Sequence, residues 1–78
     1  MDFRDFNALP EGLGFSLALD VDAMTNFVNL SDQTKEDVVH YIQMSDTGEQ
    51  AKERIKQVVT RLRNGESVEN ISSLDRYS

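Results

Sequence analysis

Residues 46–65 read DTGEQAKERIKQVVTRLRNG, a stretch that holds a helix start, an apolar stripe and a helix stop in one register. Ala51, Ile55, Val58, Val59 and Leu62 recur at i, i+4, i+7, i+8 and i+11, which at about 3.6 residues per turn gathers them into a stripe roughly 100° wide. Neighbours must cover such a face. Withdrawing each of its larger side chains from water contributes on the order of 1.5–3 kcal/mol before chain entropy is subtracted. At the start, Asp46-Thr47-Gly48-Glu49 has the spacing of a capping box, and Thr47 with Gln50 offers the same box one residue later. At the end, Asn64-Gly65 is a stop, because glycine accepts the left-handed conformation that follows many helices.

The preceding chain supplies the cover. Ser31 is a good N-cap for a helix from about Asp32 to Met44, with Val38, Val39, Tyr41 and Ile42 as core candidates and Lys35, Glu36 and Asp37 in water. Asp20 can cap a second short helix whose apolar side is Ala23, Met24, Phe27, Val28 and Leu30, with Asp22 near its positive end. Pro10 suits a first helical turn. After it, either Leu13, Leu17 and Ala18 or Phe15 and Leu19 give helical spacing, against a cost of about 1 kcal/mol for each of Gly12 and Gly14. Phe3, Phe6 and Leu9 suggest an ordered arm over residues 1–8. Val68, Ile71 and Leu74 read as a short fifth helix or a tail, with residues 72–78 disordered. No strand-length alternation and no hairpin turn occurs. The expected fold is all-α, a compact bundle of four short helices with a fifth short C-terminal helix as an option, in one domain over residues 1–78.

Seventy-eight residues suffice for one core. The absence of cysteine excludes disulfides, thiolate metal sites and a thiol nucleophile. With no apolar run of spanning length and no signal-peptide pattern in MDFRDFNALP, the expectation is a cytoplasmic protein without membrane insertion. A net charge of −6 resists polyanionic partners. The charge is uneven. Five of the eight basic residues, Lys52, Arg54, Lys56, Arg61 and Arg63, lie in the helix quoted above.

That basic set is the candidate partner-binding group. At about 100° per residue, Lys52, Lys56 and Arg63 fall on one side of the apolar stripe and Arg54 and Arg61 on the other. Glu53, Gln57 and Thr60 take the outward face, so no continuous positive strip forms. Long basic side chains in such places commonly lay their methylenes on apolar surface and pair locally. A helix-turn-helix drawn from 35–44 and 48–63 would turn a carboxylate, Glu49, toward the phosphates. Nucleic-acid binding through helix 48–63 is therefore the alternative, and a protein partner or self-association the main expectation.

No catalytic, cofactor or metal site is expected. His40, the single histidine, has Glu36 one turn back and no nucleophile placed beside it. Asp20 and Asp22 resemble the opening of a calcium loop, but the central glycine and closing glutamate do not follow.

The order Leu9-Pro10, Leu13, Leu17-Ala18, Phe27, Leu30-Ser31, Lys35, Tyr41-Ile42, Arg54-Ile55, Leu62 and Gly65 resembles the helical segment of the YdeI/OmpD-associated, or bacteriocin-protection, family. The resemblance runs from about Leu9 to Gly65. The chain departs from the family at Tyr41-Ile42-Gln43, where members often carry a tryptophan, and it has no counterpart of the β-rich portion many members place ahead of the helices. The resemblance implies a small bacterial helical protein loosely associated with envelope stress or bacteriocin protection, a label that names no ligand and no reaction. Arg54 is the one polar residue that matches the family pattern and is not obviously a cap, and its plain structural explanation is an ion pair that fixes the last helix to a neighbouring acidic one.

Overall fold

A computed structural model describes residues 10–69 and Ile71. Four helices follow in order: α1 (Glu11–Ala18), α2 (Val21–Val28), α3 (Asp32–Gln43) and α4 (Gly48–Arg63). No strand occurs among the described residues. The expected arm over 1–8 and the tail over 72–78 lie outside them. The radius of gyration is 11.3 Å, against about 11.5 Å for a compact chain of this length. The all-α bundle of four helices is thus the observed architecture.

Polar side chains set each junction. Asp20 accepts from the Ala23 N–H at 3.1 Å to open α2, and Ser31 accepts from the Thr34 N–H at 3.2 Å to open α3. Of the two boxes at the start of α4, Thr47 is the cap, accepting from the Gln50 N–H at 3.0 Å. Gln50 Oε1 reaches back to the Asp46 N–H at 2.6 Å, one residue beyond the cap. Pro10 is the N-cap of α1 and lies just outside the helix, not in its first turn. Despite its glycines α1 is regular for eight residues.

At the far end of α4, Gly65 takes φ 72°. The Glu66 N–H donates to the Arg61 carbonyl at 2.8 Å and the Gly65 N–H to the Leu62 carbonyl at 3.2 Å, the paired bonds of a Schellman stop. Asn26 of α2 also donates to the Leu62 carbonyl, tying the two helices at that end. The turn sends the chain back over the bundle, where Val68 and Ile71 are buried. Ile71 itself is helical, and the rest of the expected fifth helix lies outside the described residues.

The core sits around α4, which packs against all three other helices and most extensively against α2. Val58, Val59 and Leu62 are buried as the stripe requires, and Ile55 is packed against them half-covered. Val38, Val39, Tyr41 and Ile42 are buried from α3. From α2 only Ala23 and Phe27 are fully inside; Met24 and Leu30 are half-buried and Val28 faces solvent, a narrower stripe than its sequence suggested. Glu36 is exposed as expected, whereas Lys35 and Asp37, about 200° apart on the helix, are half-buried on the two flanks of the α3 stripe.

A candidate interaction face between α1 and α4

Leu13 and Leu17 of α1 are buried, while Phe15 and Leu19 are 68% and 74% exposed. Two residues correspond to about 200° of helical rotation, so each pair occupies an opposite side. The sequence allowed either pair to face the core, and the structure assigns that role to Leu13 and Leu17. Ala18, a companion of that pair on paper, is exposed. A helix apolar on both sides normally has both sides covered. Here the outer one is open, and Val21 at the start of α2 is exposed as well.

Gly12 explains how α1 meets α4. A Cβ at this position would lie 2.8 Å from Ile55 Cδ1, so the missing side chain admits the isoleucine against the α1 backbone. Beside that contact runs an open groove of about 500 Å³. Leu19, Ile55 and Val59 supply its apolar lining, and Lys52, Lys56 and Arg63 stand along it from α4.

The five basic residues have different fates. Lys52 and Lys56 are exposed and form no ion pair among the described residues. Arg63 pairs with Asp20 through Nε, closing one end of the groove with the same carboxylate that caps α2. The Ala23 N–H first, and then the Arg63 guanidinium, hold the Asp20 carboxyl below its usual range. Arg61 is half-buried and donates to the Ser67 carbonyl at 3.3 Å, supporting the turn after α4.

Arg54 is inside the protein, with 9% of its surface exposed. It belongs to the bundle's interior and not to a solvated flank. Its Nη1 donates to the Tyr41 carbonyl at 2.7 Å, and its Cζ lies 4.6 Å from the centre of the Tyr41 ring. That carbonyl lies in the last turn of α3, where helix oxygens lack intrahelical partners, so a guanidinium from α4 satisfies it at the negative end of the α3 dipole. Tyr41 in turn donates through its hydroxyl to Gln57 Oε1 at 2.6 Å. The signal was present in the spacing: Arg54 stands four residues before Val58 and eight before Leu62, on the edge of the covered stripe.

His40 is exposed on α3. Asp20 serves as the α2 cap, and no group of three or more His, Cys, Asp or Glu gathers into a metal-binding arrangement among the described residues. No described helix is long and apolar enough to cross a membrane. Compared with known proteins, the chain matches no family model, no curated sequence and no solved structure.

Proposed function

We propose that this chain is a cytoplasmic, non-enzymatic protein–protein interaction module, of the kind implied by its resemblance to the helical segment of the YdeI/OmpD-associated bacteriocin-protection family, and that the outer side of α1 is its contact surface. One observation carries this reading: Phe15 and Leu19 remain exposed on a helix whose other side is already buried in the core. Contiguous exposed apolar patches mark interaction sites, and aromatic residues are enriched at the centre of protein interfaces. The nucleic-acid alternative through helix 48–63 has weaker support. Arg54 is buried, Arg63 is held by Asp20 and Arg61 by the Ser67 carbonyl, which leaves two lysines to meet phosphates on a chain of charge −6.

Site-specific photo-cross-linking in the native host tests the proposal. A benzoylphenylalanine at position 19 is expected to give a discrete protein adduct, and one at position 33 on the polar side of α3 none. No adduct at 19, or the same adducts at both positions, would overturn it.

A further inference from the structure

The groove beside α1 combines two properties that together narrow its occupant. Its lining is apolar through Leu19, Ile55 and Val59, and Phe15, exposed on α1, lies one turn before Leu19. Its ionisable lining is three cations and one carboxylate, on a protein whose net charge is −6. Because Asp20 is already engaged by Arg63, Lys52 and Lys56 carry the uncompensated charge. A polyanion such as nucleic acid would satisfy the lysines but leave the apolar lining wet.

Resting on the interaction-module reading, we infer that the α1/α4 groove receives an acidic, amphipathic helical segment of another protein, its apolar side chains on Leu19, Phe15 and Ile55 and its carboxylates on Lys52 and Lys56. The groove's basic residues run from Lys52 to Arg63, a helical span of about 16 Å. That length matches about three turns of a docked helix with anchors at i, i+3 or i+4, and i+7. A second copy of this chain fits less well. Placed patch to patch about a two-fold axis, each copy would bring Lys52 and Lys56 toward the other's lysines, and like charges in register disfavour the contact. Seating one copy's acidic side in the next copy's groove would be a head-to-tail contact, which extends into filaments unless its rotation closes a ring.

Fluorescence anisotropy with the full chain tests this. The probes are a labelled 14-residue peptide with Leu at i, i+3, i+4 and i+7 and Glu elsewhere, a version with Lys in place of Glu, and a scrambled acidic version. Saturable binding of the patterned acidic peptide is expected, weakened about tenfold or more by raising salt, by the pair Lys52→Glu and Lys56→Glu, and by Leu19→Ser. The double lysine variant, checked for unchanged helicity, should gain affinity for the lysine peptide. Three results would overturn the inference: no saturable binding of the acidic peptide, equal binding of the lysine or scrambled versions, or equal tightness on phosphatidylglycerol vesicles or duplex DNA. A concentration-dependent dimer in sedimentation that Leu19→Ser abolishes would assign the face to a second copy instead. If the acidic peptide fails while position 19 still cross-links to a protein, the partner's chemistry is wrong and the module reading stands. If both fail, both fall.

Discussion

The two long edges of α4 offer the same kind of residue to opposite fates. Along its seam with α3, Arg54 is withdrawn from water and bound to the carbonyl and ring of Tyr41, whose hydroxyl returns to Gln57. Along its seam with α1, Lys52 and Lys56 stay in solvent above a groove. The difference lies in what arrives from the other helix. The end of α3 presents a carbonyl that must be satisfied, and a planar guanidinium can bond and stack at once. Beside α1 the contact is a glycine against an isoleucine, which asks nothing of a cation and leaves the lysines available. A basic residue on a helix flank is thus structural or functional according to its neighbour.

The contrast can be broken most sharply within α1. Leu17→Ala should cost about 3 kcal/mol in urea denaturation, since a buried leucine is lost and a cavity left, whereas a cost under about 1 kcal/mol would show that α1 is not part of the core. Next in size, Arg54→Ala should cost about 2 kcal/mol, the sum of a charged hydrogen bond and the stack on Tyr41. Little change there would make the two seams of α4 alike. Leu19→Ser should move stability by no more than about 0.5 kcal/mol, because its side chain is already wet. A large loss would mean that the outer side of α1 is a part of the fold and not a contact surface.

The smallest effect concerns the exposed end of the groove. Asp20 has a native value below the ordinary 3.8, so its contribution is present above that pH and disappears as acidity carries the carboxyl through its lowered native value. Asp20→Asn keeps a capping oxygen and removes the charge. Its melting temperature should trail the original protein slightly at neutral pH, with the gap closing below pH 3.8. A gap that widens in acid would reverse the assignment.

Much of this architecture was legible in the residues. The stops and starts at Asp20, Ser31, Thr47 and Gly65 are local chemistry, each settled within a few residues of the cap itself. The stripe of α4 and the core positions of α3 follow from periodicity, which reports one helix's own two sides. Periodicity fails where contrast is lacking. In α1 both sides are apolar, so only the packed structure distinguishes Leu17 from Leu19. It also cannot see across a seam: the spacing set Arg54 at the edge of the covered stripe, but the group it binds, a carbonyl of α3, carries no side-chain signature. The groove escaped for the same reason, being made by two helices more than thirty positions apart in the chain.

The backward turn at Gly65 makes the last described residues a cover for the core. Val68 and Ile71 are buried only because the chain doubles back there, so a fragment cut after Gly65 would keep all four helix sequences and lose two fully buried side chains. The apolar surface uncovered in this way is the kind that invites aggregation.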